Sequence, residues 1–272
     1  METRLWPHFA AGLRAADKPQ AFAWRASGLG NCPRKRQLAS LGLFDGEELP
    51  PDGLWKMEIG RQLEDCYLSL LGDIVLSRQG EVTVATPAGT AVSGHYDALV
   101  QLPGAGLAVL EIKTISQPGF AAICRDGAAK PEHRLQAQHY MAGLGVSHGC
   151  VLYLNLGTKK CLDPVGNPAD LSEKNLAYWP AYECWLDADR AELDAALAEI
   201  DRIVEATASG NLVPAPYRPV ASTPKFCKGD WQCTYCPYGK IAPQGVSFCH
   251  DVCAKTVAIT DMRELACARG LI

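Results

Sequence analysis

Two short stretches carry the residues best suited to chemistry: Gly94-His95-Tyr96-Asp97 and, fourteen positions beyond that aspartate, Glu111-Ile112-Lys113. Both lie in β-like runs, joined by the turn-prone segment Gln101-Leu102-Pro103-Gly104-Ala105-Gly106. Within residues 107–115 an apolar run is interrupted by one acid and one base. Residues two apart on a strand share a face, so Glu111 and Lys113 stand side by side. Pairing of the two strands through the turn brings Asp97 close to them. Two carboxylates and a lysine are costly to bury unless they are paired or hold a metal. Two carboxylates with the backbone carbonyl of Ile112 make a hard oxygen site suited to Mg²⁺ or Mn²⁺. The neighbouring ammonium can orient a water or stabilise a developing negative charge. That is the chemistry of metal-assisted phosphodiester hydrolysis. The alternative for the same residues is a plain hairpin with a solvated Glu–Lys pair, because a D…E-x-K pattern also arises by chance.

Two helices are needed to complete such a site. Residues 57–71 have apolar positions at helical spacing with Gly72 as their stop, and Ile59, Leu63, Tyr67 and Leu70 read as one face. Glu64 lies beside that face, within reach of the sheet. Downstream, residues 133–141 read as a second helix on which Gln136 and Tyr140, four apart, share a side. There each can offer a polar tip to a phosphate or an attacking water. Each helix alone reads as ordinary packing; the combination is distinctive in its order, G-x-x-x-E, G-x-x-D, E-x-K, Q-x-x-x-Y.

This order resembles the PD-(D/E)XK nuclease superfamily, specifically its RecB-like exonucleases, over about residues 60–140. The resemblance implies an α/β core of the restriction-endonuclease type. It makes Asp97, Glu111 and the Ile112 carbonyl metal ligands, Lys113 the catalytic lysine, and Gln136 and Tyr140 the family's Q-x-x-x-Y motif. One departure matters: many members carry histidine where this chain has Glu64. The lambda-type viral exonucleases carry an acid in that region, which gives Glu64 a place both in the metal shell and in catalysis.

The chain holds 12 cysteines among 272 residues. No apolar signal segment opens the sequence and no run is long enough to span a membrane, so an intracellular, cytoplasmic setting is expected, and tightly spaced cysteines there point to metal. Cys66, Cys124, Cys150, Cys161 and Cys184 are scattered in or beside apolar segments and read as buried packing. Cys227, Cys233 and Cys236 instead form C-x5-C-x2-C in a loop rich in aromatics, Gly and Pro, three thiols that need a fourth. Ser27-Gly28-Leu29-Gly30-Asn31-Cys32-Pro33-Arg34-Lys35 resembles the N-terminal cysteine motif of the CRISPR-associated RecB-like exonucleases and their viral relatives. There, one N-terminal and three C-terminal cysteines bind a four-iron–four-sulfur cluster, which makes Cys32, Cys227, Cys233 and Cys236 the expected ligands. The family commonly places C-x2-C before its distant cysteine, whereas here C-x5 comes first. Four thiolates suit zinc equally, and Cys249, His250 and Cys253 form a second group that could share in a C-terminal zinc site.

With 48% hydrophobic residues the chain can bury a full core. Strands are expected at residues 81–86, 91–93, 150–156 and 181–186, and a long helix capped by Asp187 runs to about Ala208. Pro214, Pro216, Pro219 and Pro224 mark an irregular link. The expected plan is an N-terminal helical arm (1–50) carrying Cys32, a nuclease core (51–212), and a C-terminal cysteine-rich, metal-bound cap (213–272) that packs on the arm. A net charge of −4 argues against a bulk polyanion binder, but a nuclease needs only a local basic surface. Candidates are Arg34-Lys35-Arg36, then Arg125, Lys130 and Arg134, with Lys159, Lys160, Lys225 and Lys228 extending them. Trp231, Tyr235 and Tyr238 suit either base stacking or packing round a metal.

The expectation that follows is a Mg²⁺- or Mn²⁺-dependent DNA exonuclease with an iron–sulfur cluster, in viral DNA processing or CRISPR adaptation, in a bacterium or its virus-infected counterpart. Its partners would be DNA, single-stranded or with free ends, and a second copy or a recombination or CRISPR protein. The rivals are a catalytically idle, Fe–S- or Zn-stapled DNA-binding adaptor and a redox-sensing Fe–S protein.

Overall fold

The structure, a computed structural model, describes residues 6–16, 22–43, 51–104, 106–157 and 180–216. It also describes the single residues Cys233, Cys236, Tyr238, Cys249, Asp261, Met262, Glu264 and Cys267. The described elements are α1 (Trp6–Ala16), α2 (Pro33–Ser40), α3 (Pro51–Leu71), β1 (Val75–Ala85), β2 (Ala91–Leu102), β3 (Gly106–Ile115), α4 (Gln117–Asp126), α5 (Pro131–Leu144), β4 (His148–Asn155), β5 (Ala181–Asp187) and α6 (Arg190–Ala208).

The strands form one mixed sheet in the order β1-β2-β3-β4-β5, antiparallel except for the parallel pair β3–β4. A parallel neighbour requires a crossover, and α4 and α5 provide it. Residues 91–93 and the Asp97 stretch, expected as separate pieces, are one continuous strand β2: Gly94 stays in the ladder opposite Val82 instead of turning. The hairpin between β2 and β3 closes where expected, with Leu102 opposite Gly106.

α3 covers one face of the sheet. Leu68 packs there with Ala98 and Val100 of β2, Ala108, Leu110 and Ile112 of β3, and Cys150 and Leu152 of β4. α5 and α6 cover the other. Tyr140 and Met141 meet Val82, Tyr96 and Val109, while Leu193, Leu197 and Ile200 meet Val92, Leu29 and Leu135. Each helix buries an apolar stripe that the sheet cannot cover alone, which makes three layers.

The inward stripe of α3 differs from the sequence reading. Leu70 is 79% exposed and Leu63 36%, so they do not form the buried face. The row that meets the sheet is Gly60, Glu64 and Leu68, each one turn apart. A side chain at Gly60 would meet Thr114 Oγ1 at 3.2 Å, so the glycine lets the helix approach β3. Glu64 is therefore central to the inward row rather than beside it. Likewise α6 is capped by Asp189, not Asp187: the Asp189 side chain accepts from the Glu192 N–H at 2.9 Å. Cys124, Cys150 and Cys184 are buried as expected, whereas Cys66 is exposed; Cys161 lies outside the described residues. Among the described residues no helix is long and apolar enough to cross a membrane.

Candidate active site

The ladder between β2 and β3 runs from Leu102–Gly106 to Ala98–Leu110 and stops there. Asp97 and Glu111, next in register, are not paired by backbone. The Ile112 N–H donates instead to Asp97 Oδ2 at 2.6 Å, spanning the opened edge. In a strand, one residue's N–H and C=O point the same way, so the Ile112 carbonyl faces this edge too.

A second irregularity coincides with the first. Val92 and Tyr96 pack towards α5 and α6, and a side chain at Gly94 would strike the Tyr140 ring at 2.8 Å. Ala98 and Val100 pack towards α3. Strict alternation would keep these even-numbered residues on one side, so the strand changes face once, at Asp97. In β1 the residue opposite is Gln79, between the pairs Arg78–Ala98 and Gly80–Tyr96, and its φ is +50°.

Glu111 and Lys113 occupy the α5 side of β3, with Val109. Glu111 is fully buried, and Lys113 Nζ lies 2.5 Å from its Oε1. Beyond that charge contact, neither Glu111 oxygen has a hydrogen-bond partner among the described residues. Burial pushes the Glu111 carboxyl above the usual range against the pull of Lys113. Asp97, 8% exposed, is pushed up to about 7 by burial and then by the Glu111 charge, opposed by the Ile112 N–H, Lys113 and Gln79. Glu64, half-buried, also rises to about 7, first through burial and then through Asp97. Its Oε1 accepts from the Gln79 amide. For Lys113 burial works against the charged form, but Glu111, then Asp97 and Glu64, raise its pKa overall.

Three carboxyls thus crowd one lysine in a buried place. One ammonium cannot neutralise three carboxylates, and the most buried of them has no partner beyond that ammonium among the described residues. That is the environment a divalent cation satisfies, so the donor set fits Mg²⁺ or Mn²⁺. Among the described residues no three His, Cys, Asp or Glu side chains are drawn round a single point; Glu111 turns to Lys113 instead.

Gln136 and Tyr140 do come together, the amide donating to the phenol oxygen at 3.0 Å. Both are buried, and burial, then the charges of Glu111 and Asp97, keep the phenol protonated. The Tyr140 ring fills the space left by Gly94, so it supports β2 beside the carboxylates as much as it faces them. The sequence reading missed His133, in the first turn of α5. Its Nδ1 lies 2.9 Å from Tyr153 Oη, and it is pushed down to about 3 by burial, then by Lys113 and Lys130, so it stays neutral. It also missed Gln79, although a glycine next to it inside a strand pattern is a bulge signal.

The basic clusters fare differently. Arg34 is buried and donates to the Val213 carbonyl at 2.5 Å; Arg36 is buried against Glu199 at 3.0 Å and over the Trp24 ring. They pin α2 to α6 and the segment after it, leaving Lys35 exposed. Arg134 is held by Glu192 in a two-pronged ion pair, and Arg125 by Asp126. Lys159, Lys160, Lys225 and Lys228 lie outside the described residues.

Of the expected cluster ligands, Cys32 is partly buried and close enough to Cys236 for that thiol to add to the rise that burial gives its pKa. The Cys236 N–H donates to the Cys233 carbonyl at 3.3 Å. Cys227 lies outside the described residues. Cys249 is buried with Leu38, Leu43, Tyr238 and Met262, with Cys236 packed against them, and its N–H donates to the Tyr238 carbonyl at 2.8 Å. Tyr238 is thus a packing residue, not an exposed stacking platform; Trp231 and Tyr235 lie outside the described residues.

No protein-family model matches the chain, and no curated protein does. Among solved structures it is similar to SSO0001 (TM-score 0.49, 17% identity, 90% of this chain and 98% of that one). It is also similar to an alkaline exonuclease from Laribacter hongkongensis (0.46, 16%, 73% and 93%) and to a phage-related exonuclease from Haemophilus somnus 129PT (0.46, 14%, 73% and 99%). At these scores the overlaps are partial likenesses of fold, and function has to be read from this chain's own side chains.

Proposed function

We propose that this protein is a divalent-metal-dependent deoxyribonuclease of the PD-(D/E)XK, RecB-like kind, acting on DNA with free ends. The observation that carries the reading is the opened β2–β3 edge. There Asp97, Glu111 and Glu64 crowd Lys113, and beyond the Lys113 contact the buried Glu111 carboxylate has no hydrogen-bond partner among the described residues. Asp97, Glu111 and the Ile112 carbonyl would hold Mg²⁺ or Mn²⁺, with Glu64 completing the shell directly or through water. A cation so bound supplies neutralisation of the carboxylates and of the scissile phosphate.

The chain's own residues do the rest. Lys113, fixed by Glu111 and only partly exposed, presents its remaining N–H donors to the attacking water and to a phosphate oxygen. Charge building on that oxygen meets a preformed positive group. As the water oxygen bonds to phosphorus it gives up a proton to solvent, one ester P–O bond breaks, and the departing alkoxide takes a proton from solvent, leaving a phosphate monoester and an alcohol. Gln136 and Tyr140 brace the α5 side, and the phenol, kept protonated, can donate into the site.

The test is digestion of end-labelled linear DNA by the full chain with Mg²⁺ or Mn²⁺ and after chelation. Asp97→Ala should abolish cleavage with the fold intact, whereas Lys113→Ala should lose several orders of magnitude yet keep metal binding. Cleavage that survives chelation, or near-normal activity in either variant, would contradict the assignment.

A second metal site is proposed for the cysteines: an iron–sulfur cluster, or zinc, held by Cys32, Cys233 and Cys236 with Cys227 or Cys249 as the fourth ligand. The proximity of Cys32 to Cys236 and the Cys233–Cys236 turn support it. Cys249, buried beside Cys236, stands as an alternative to Cys227, although among the described residues these thiols are not drawn round a single point. The site joins the N-terminal arm to the C-terminal segment and need take no part in hydrolysis.

A further inference from the structure

We propose that Gln79 is the positioning residue of the carboxylate site: its side-chain amide sets the spacing of Glu64 and Asp97 that a divalent cation then finishes. This rests on the divalent-metal reading of that site but concerns a residue that no part of the reading requires.

Gln79 is the one non-glycine residue at positive φ among the described residues. L-residues other than glycine, asparagine and aspartate avoid this region, because Cβ crowds the backbone. A glutamine there is anomalous on local grounds, and outliers of this kind gather at functional sites. The placement is as specific as the strain. Gln79 lies opposite Asp97 in register, at the one point where β2 changes face. The pairs on either side, Arg78–Ala98 and Gly80–Tyr96, are formed, so this departure is distinct from the register shift between Val75 and Ser77.

The left-handed backbone turns the Gln79 side chain towards α3, where its Nε2 donates to Glu64 Oε1. Gln79 also stands opposite Asp97 in the β1–β2 register, so the amide that bonds Glu64 lies on the edge that carries Asp97. A carboxamide carries two N–H donors, enough to serve both acids. It differs from a lysine in a decisive way, since it draws two like-charged groups together without cancelling their charge. A lysine between Glu64 and Asp97 would compete with the cation for which those charges are needed. Gly80 serves the same construction: a side chain there would overlap Tyr96, whose hydroxyl lies 2.9 Å from Ser77 Oγ. The tyrosine therefore clamps β1 on the other side of the irregularity.

Gln79→Gly separates backbone strain from side-chain function, because glycine accepts φ +50° freely and removes the amide. In the metal-free full-length protein its melting temperature should equal or exceed that of wild type. Its affinity for Mn²⁺, read by electron paramagnetic resonance of free Mn²⁺, should fall about 10- to 100-fold, as outer-shell partners commonly cost. The Mg²⁺ concentration for half-maximal cleavage should rise in parallel. Unchanged Mn²⁺ affinity in Gln79→Gly, or affinity lost only in step with a lower melting temperature, would overturn the role. Failure of the wild type itself to bind Mn²⁺ would overturn the divalent site first, and this role with it.

Discussion

At Asp97 a buried carboxyl faces Glu111 on one side and Glu64 on the other, and its proton equilibrium has a consequence for stability. Its folded pKa, pushed up to about 7, lies well above the ordinary aspartate value of about 3.9. A raised acid pKa means that the metal-free fold prefers the neutral form. Its contribution is fully present below the ordinary carboxylate range and is lost as pH rises through about 7. Glu64 acts in the same direction over the same window. Without metal, wild type and Asp97→Asn should therefore melt at similar temperatures near pH 4. Between there and about pH 8 the wild type should fall progressively below the variant. A gap that stays constant or reverses over that range, in calorimetric scans with chelator, would contradict the crowding of these acids. Asp97, Glu111 and Lys113 are legible in the sequence, because strand alternation alone places an acid and a base two apart on one face. Gln79 is not, since its role comes from a backbone conformation that no strand periodicity encodes.

At the scale of elements, the hairpin β2–β3, the strands β4 and β5 and the helices α3, α5 and α6 follow from hydrophobic periodicity and their stop residues. Three things do not. The orientation of α3 was misjudged because Leu63 and Leu70 are apolar yet exposed, while the true inward row begins at a glycine that carries no hydrophobic signal. Gly60 matters through close approach to Thr114, a tertiary fact. The change of face at Asp97 is equally hidden, for it needs β1 and β2 to deviate together. Arg34 and Arg36 were legible only as charge. Their burial against the Val213 carbonyl, Glu199 and Trp24 shows that an arginine-rich helix start can be an anchor rather than a surface for phosphate.

For the whole molecule, the decisive question is what joins its ends. Leu38 and Leu43 from the N-terminal part share a core with Tyr238, Cys249 and Met262, and Cys32 stands beside Cys236 at the same place. A metal on these thiols would close a loop of nearly the entire chain and restrict the unfolded state accordingly. Anaerobically purified protein should contain iron with sulfide, or zinc, and Cys32→Ser and Cys236→Ser should each lose it and melt at lower temperature. Cys66→Ser, at an exposed position on α3, should keep it. Comparison of Cys227→Ser with Cys249→Ser identifies the fourth ligand, and a metal content unaffected by all four changes at Cys32, Cys227, Cys236 and Cys249 would remove the site.

The carboxylate site is tested most directly by calorimetric titration of Mn²⁺ into the metal-free full chain near pH 7, in two buffers with different heats of ionisation. Asp97 and Glu64 both titrate near that pH, so a cation that takes their charges must displace protons. The wild type should bind Mn²⁺ saturably with net proton release, and Glu111→Gln should lose the binding. No saturable binding by the wild type, or the same binding by Glu111→Gln with no buffer-dependent heat, would contradict a divalent-metal centre at the opened β2–β3 edge.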